Sequence, residues 1–357
     1  MKCETYPIRN GWDGKRCLVH ARCCYTPGLM VATAQYLDVS GCDLFSGLLM
    51  STSTDDGKTW SKFEVQKGLA PIEEENTITV GCDATSMHHK KTDTILLLGH
   101  TAEYGRGDNA PTGKRRSTFY SVFDKNKKEF SKMKLLEMPE GYEKCGNGSG
   151  QSIELENGDL LIPVYYSKQG EPNMYSAVLK CSFDGKDLKI LEMGKPLTVQ
   201  IGRGLYEPSL ICHKGVYNMT LRGDESGFVA KSTDGLNYTN LQLWKWQDES
   251  ILQNYNTQQH WMEIGGELYL VYTRRGADND HVFRHRAPLF AARVENMKLV
   301  RESEFAVTCE RGARLGNFCA TPFKGGKSVV MAAEWMQPAG CEKYGSDNSI
   351  FMAVIGE

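Results

Sequence analysis

The chain has 357 residues and a formal net charge of −2, with 42 Lys and Arg against 44 Asp and Glu. That balance excludes a general attraction to nucleic acid, although it leaves room for a local cluster of arginines. No apolar stretch approaches the length of a membrane span, and the 12 cysteines contain no C-x-x-C pair, only the adjacent Cys23-Cys24, which rarely bridges without strain.

In chain order, Met1 to Pro7 lacks the apolar core of a signal peptide. With thiols that read as reduced, the expected compartment is the cytoplasm, a secreted form with a trimmed signal being the alternative. Val19 to Tyr25 places His20 and Arg22 two residues apart, hence on one face of a strand. Ser53-Thr54-Asp55-Asp56-Gly57-Lys58-Thr59-Trp60 is the most specific segment and reads as an Asp box, S-x-D-x-G-x-T-W. Asp caps its own backbone there, Gly supplies positive φ, and Trp packs beneath the turn. Degenerate echoes follow at Ser121 to Asp124 with Phe130, at Ser182 to Lys186, at Ser232 to Tyr238 and at Arg293 to Asn296.

Between them lie strand-like runs. Gly158 to Tyr166 and Gly266 to Thr273 each lead from a turn into an apolar, aromatic run. Thr94 to Gly99 and Ser328 to Ala333 are continuously apolar, as innermost strands buried on both faces would be. No long amphipathic helix stands out. Turn signals recurring at about fifty to seventy residues divide the chain into roughly six units, each a four-stranded antiparallel sheet. The expected fold is all-β, a six-bladed β-propeller formed as one domain over residues 1–357.

The chemistry is expected where the innermost strands converge on the axis. Gly202 to Leu210 carries Arg203, Tyr206 and Glu207, with Arg222 returning on the neighbouring strand. Tyr272 to Arg286 is the densest polar segment, with Arg274, Arg275, Arg284 and Arg286, two aspartates, and the histidines His281 and His285. Glu310 to Phe318 adds Arg314, and Glu334 ends a further apolar run. Several arginines in one pocket repel one another and need carboxylates behind them or an anion in front. A planar guanidinium binds carboxylate in a two-pronged way, so the expected ligand is anionic, and a carboxylated sugar fits.

The Asp box, Glu207-Pro208-Ser209-Leu210 and the arginine order together resemble the bacterial sialidase superfamily over essentially the whole chain, in its divergent Asp-box branch. The resemblance implies three arginines clamping a substrate carboxylate, matched by Arg22, Arg222 and Arg275 or Arg274. It implies an aspartate acid/base, matched by Asp43 in Ser40 to Phe45. It also implies a glutamate beside the second arginine, matched by Glu207, and a last glutamate bracing the first arginine, matched by Glu334. Two departures stand out. Arg22 lies in His20-Ala21-Arg22-Cys23 rather than Phe/Tyr-Arg-Ile-Pro, and the strand that should bring a nucleophilic tyrosine reads Leu315-Gly316-Asn317-Phe318-Cys319. Tyr206, Tyr272 or Tyr344 would have to substitute. The histidines His20, His100, His260, His281 and His285 suggest proton chemistry of another kind.

These features predict a glycoside hydrolase that removes a terminal acidic sugar, sialic or uronic acid, from an oligosaccharide or glycoconjugate, without cofactor or metal. Asp43 protonates the leaving oxygen, and Glu207 or a tyrosine, with His20, His260 or His281, completes the acid–base set. Arg203, Tyr206, Arg284, Arg286 and Arg314 join the clamp. The alternatives are a uronate-specific lyase on the same scaffold and a non-catalytic sugar-binding propeller. Neither nucleic acid nor membrane is an expected partner, and the sequence is silent on oligomeric state.

Overall fold

The computed structural model describes residues 1–357 and is a six-bladed β-propeller. Blade I spans Arg16 to Val65, blade II Ile72 to Leu135, blade III Tyr142 to Met193, blade IV Tyr206 to Leu243 and blade V His260 to Thr308. Blade VI takes Phe318–Phe323, Lys327–Ala333 and Ile350–Gly356 from the end of the chain and Lys2–Arg9 from its beginning. Lys2 faces Gly356 across the last antiparallel pair, which closes the ring.

Six apolar clusters hold the ring, one at each seam between neighbouring blades. Strand pleating explains the continuous apolar runs. In Thr94–Gly105, Ile95 and Leu97 face the seam with blade I, and Leu96 and Leu98 face the seam with blade III. In Lys327–Ala333, Val329 and Met331 face blade I, and Val330 and Ala332 face blade V. Successive residues point to opposite faces, and both faces are covered, each buried aliphatic side chain contributing about 1.5–3 kcal/mol. These runs are the second strands of their blades, not the innermost strands expected from their apolarity.

The turns between third and fourth strands fall at Ser53 to Trp60, Asp124 to Glu129, Phe183 to Leu188, Ser232 to Thr239 and Glu295 to Lys298. In the first, Asp55 accepts from the Thr59 amide at 2.9 Å and from Ser53 Oγ at 2.8 Å, and Trp60 Nε1 donates to the Gly57 carbonyl at 2.9 Å. Trp60 packs on the seam between blades I and VI, away from the axis. Asp124, Asp184 and Asp234 accept backbone amides in the same way. Because strands alternate in direction, these turns share one face of the ring with the turns joining first to second strands. The loops joining second to third strands, and the entries to the innermost strands, lie on the other face.

Four innermost strands carry the same irregularity. His20-Ala21, Asp83-Ala84, Lys144-Cys145 and Glu207-Pro208 each place two residues opposite one on the neighbouring strand. The first of each pair is left-handed, at φ 54°, 51°, 47° and 49°. Such bulges twist a strand and re-aim a side chain. A non-glycine residue held there costs on the order of 1–3 kcal/mol, strain that persists only where surrounding contacts over-determine it.

Candidate active site

The loop face gathers the charged residues. Glu207 and Arg222 meet across the bulge of blade IV, one terminal guanidinium nitrogen donating to both carboxylate oxygens at 2.7 and 2.8 Å. Both side chains are largely buried. Burial works against the Arg222 charge, but Glu207 more than offsets it and raises its pKa. The other terminal nitrogen of Arg222 donates to Asn256 Oδ1. Asn256, left-handed at φ 48° before the innermost strand of blade V, is a hub. Its side-chain oxygen also receives Tyr206 Oη at 3.3 Å and Arg203 at 3.4 Å, and its carbonyl receives two nitrogens of Arg286. Arg203 and Tyr206 are tied to Asp224, Arg203 through Nε at 3.1 Å and Tyr206 through its hydroxyl at 2.6 Å.

Arg286 is the unusual member. It is 4 % exposed and makes no ion pair. Burial pushes its pKa down, and the neighbouring charges of Arg222, Arg314 and Arg284 push in the same direction against Glu207. Arg314 is lowered to about 10 by burial, opposed by the nearby Asp43 carboxylate. It lies over Trp335 at 4.1 Å and Phe283 at 5.0 Å. Arg222 Nε and Arg314 Nε are buried without a hydrogen-bond partner. Arg222, Arg284, Arg286 and Arg314 thus crowd one mouth, with Glu207 the single carboxylate paired among these four. Burying unpaired charge of one sign is costly, and an anion would offset it.

Asp43 lies on the loop between the second and third strands of blade I, exposed and left-handed at φ 50°. The Tyr104 hydroxyl donates to its carbonyl at 2.6 Å, and the carboxylate makes no hydrogen bond or ion pair. Asp43 also lines a small cavity of about 90 Å³ with Phe45, His100, Arg115, Arg116 and Lys144. His100 Nδ1 donates to the Asn147 carbonyl at 3.1 Å, so Nε2 is the free acceptor. Burial, then the Arg116 charge, lower its pKa to about 4. Tyr165 packs beside it with ring centroids 6.2 Å apart.

Other expected site residues are placed elsewhere. Arg22 is fully buried beneath the mouth, and protein groups take four of its five N–H donors. Nε donates to the Phe318 carbonyl at 3.1 Å, one terminal nitrogen to the Ala84 carbonyl at 3.4 Å, and the other to Asp83 and to Gln258 Oε1 at 2.9 Å. It ties blades I, II, V and VI together at the axis, paired with Asp83. Glu334 holds Arg311, at 2.7 and 2.8 Å, rather than Arg22. The fork of Arg274 is closed on Glu304 at 2.8 and 2.6 Å, and Arg275 lies exposed over Tyr255 at 3.9 Å. From the same segment it is Arg286 that lies beside Arg222, through Asn256. His281 pairs with Glu310 at 2.9 Å on the rim. His260 is buried against Phe318 and Ser209, with its pKa lowered to about 3 by burial and by Arg22. His20 sits nearer the mouth, its Nδ1 2.9 Å from Gln35 Oε1 and its Nε2 3.7 Å from Asp83. Asn317 Nδ2 lies 3.5 Å from the same Asp83 carboxylate.

Sequence reasoning missed Asp83, Asn256 and Arg116. Asp83 had a signal, being the one acid inside the otherwise apolar Val80-Gly81-Cys82-Asp83-Ala84, and Arg116 ends the Lys114-Arg115-Arg116 run. Asn256 had none, since its role rests on two loops meeting in space. A cavity of about 950 Å³ opens on the opposite face, along the far halves of the innermost strands. No arginine lines it, so its size does not make it the anion site.

No family model matches the sequence, and no curated protein matches it at a significant level. Solved structures do match. The Trypanosoma rangeli sialidase is 17 % identical with a TM-score of 0.67, over 96 % of this chain and 55 % of that one. The leech intramolecular trans-sialidase is 12 % identical with a TM-score of 0.64, over 98 % and 70 % of the two chains. The NanB sialidase of Streptococcus pneumoniae is 13 % identical with a TM-score of 0.63, over 97 % and 70 %. The chain therefore spans about half the length of the trypanosomal enzyme. At these identities the likeness concerns architecture: this chain has the six-bladed propeller fold of the sialidases.

Proposed function

We propose that the loop face binds a terminal acidic sugar by its carboxylate and hydrolyses the glycosidic bond, as a sialidase-like exo-glycosidase. The observation that carries this reading is Arg286, buried among Arg222, Arg314 and Arg284 with no carboxylate partner. The trypanosomal neighbour has been solved with sialic acid, and a carboxylated sugar is the ligand that suits this cluster. Arg222, Arg286 and Arg314 hold the carboxylate, and Arg203 and Arg284 frame the rim. Asp43 donates a proton to the leaving oxygen. Glu207 acts on the other side as the base that activates water. No tyrosine hydroxyl bonds to Glu207: Tyr206 is committed to Asp224, and Tyr165 receives Arg116 at 3.4 Å. Without a tyrosine bonded to Glu207, this reading has water attack the anomeric carbon directly, which inverts it. A panel of sialosides and uronosides, with the anomer of the released sugar followed by NMR, tests this. A retained product, or no hydrolysis of any acidic glycoside, defeats it.

One observation favours a second reading. A neutral His100 with a free Nε2 beside Tyr165 is suited to removing the proton α to a uronate carboxylate. A lyase product carries a conjugated double bond and absorbs in the ultraviolet. The hydrolase product does not, so the same panel separates the two.

A further inference from the structure

A second group of cations faces the same mouth and is unused by the reading above. The blade II loop between Gly105 and Thr118 carries Arg115 and Arg116, and the blade III bulge presents Lys144. With Asp43 and His100 they line the cavity of about 90 Å³. None of the three forms an ion pair. The sole hydrogen bond of the Arg116 side chain is to the Tyr165 hydroxyl at 3.4 Å, its guanidinium 5.5 Å from that ring. The Tyr165 ring in turn lies 6.3 Å from Tyr206, over which Arg222 sits at 4.7 Å. The unpaired Arg115, Arg116 and Lys144 on one side, and on the other Arg286 and Arg314 beside the Arg222–Glu207 pair, therefore flank one pair of tyrosines, in a chain whose net charge is −2. The cavity suits one anionic substituent and is too small for a second sugar ring.

We propose that the site takes a ligand with two anionic groups. The carboxylate of the terminal sugar lies at Arg222, Arg286 and Arg314, and a second anion lies at Arg115, Arg116 and Lys144. This rests on the reading of the first cluster as a carboxylate site. The second anion has two sources of one chemistry, a sulfate ester on the same sugar or the carboxylate of its neighbour. Both are weakly basic oxyanions that accept several N–H donors at once.

Calorimetric titration with three probes tests the proposal: a uronic or sialic acid glycoside with one carboxylate, its sulfate ester, and a disaccharide of two acidic sugars. The expected result is at least tenfold tighter binding of one dianionic probe, about 1.4 kcal/mol, with the identity of that probe naming the source. In the double variant Arg115→Ala, Lys144→Ala, both positions exposed, the affinity ratio should fall to near one, and Arg116→Gln should act in the same direction. Raising the ionic strength should narrow the wild-type ratio. Equal affinity of the wild type for one and two anionic groups overturns this inference alone, as does a ratio unchanged in the variants. Failure of the wild type to bind any of the three overturns the carboxylate reading as well.

Discussion

Replacing Arg286 by Met separates binding from stability. Nε and one terminal nitrogen of Arg286 are taken by the Asn256 carbonyl, which leaves the second terminal nitrogen free for a ligand. A hydrogen bond to a charged partner contributes about 1.5–3 kcal/mol, so losing that nitrogen should weaken an acidic sugar by about 10- to 150-fold. The ligand-free protein should respond the other way. Burial and three neighbouring arginines disfavour the Arg286 charge, and an apolar side chain of similar length relieves that cost while keeping the volume filled. The melting temperature without ligand should therefore rise, and the shift produced by ligand should shrink. Scanning calorimetry with and without the best acidic glycoside reads both quantities. A variant that melts lower and binds as well as wild type would refute the idea that Arg286 is held uncompensated for an anion.

Glu207→Gln should lower turnover at least a hundredfold and cost about 3 kcal/mol in denaturant unfolding, since it leaves the buried Arg222 charge unpaired. Asp83→Asn should destabilise by about 3–5 kcal/mol through Arg22. Burial raises the pKa of Asp83, but the charges of Arg22, His20 and His100 hold it far below the usual carboxylate range. Its contribution is thus present above about pH 4 and lost as pH falls further, and acid titrations of wild type and variant should converge. His260 stays neutral in the folded protein down to about 3, whereas an unfolded histidine protonates near about 6.5. Stability should therefore fall as pH drops from about 6.5 towards 3, by up to about 1.4 kcal/mol per unit. His260→Asn should flatten that slope without changing the pH profile of turnover. A changed profile would return His260 to the chemistry.

The architecture was legible because turn chemistry is local. Ser53 to Trp60 encodes its own hydrogen bonds, and Asp184 and Asp234 repeat enough of them to count blades. Apolar runs were legible as strands, but their rank within a blade was not. Thr94 to Gly99 is buried by two neighbouring blades, and a sequence does not distinguish that from burial at the axis. Glu207 and Arg222 could be paired from the sequence because one hairpin joins them. Arg22 could not be told from a clamp residue, because its partners Asp83, Gln258 and Phe318 arrive from three other blades. Arg274, Arg275 and Arg286 share one long segment, and where the guanidiniums of Arg274 and Arg286 go was not legible, because Glu304 and Asn256 decide it from a distance.

The closing pair of blade VI also bears on how the ring meets mechanical load. Lys2 lies opposite Gly356, and the register runs back from there to Arg9 and Ile350. Tension applied between the two ends would act on the outermost rung first and peel the pair one rung at a time, instead of shearing all its hydrogen bonds together. The fourth strand of blade VI would leave first. The seam clusters shared with blades V and I would then open to water in turn, so a molecule pulled by its ends would unravel from blade VI while the charged loops of blades II to IV were still in place.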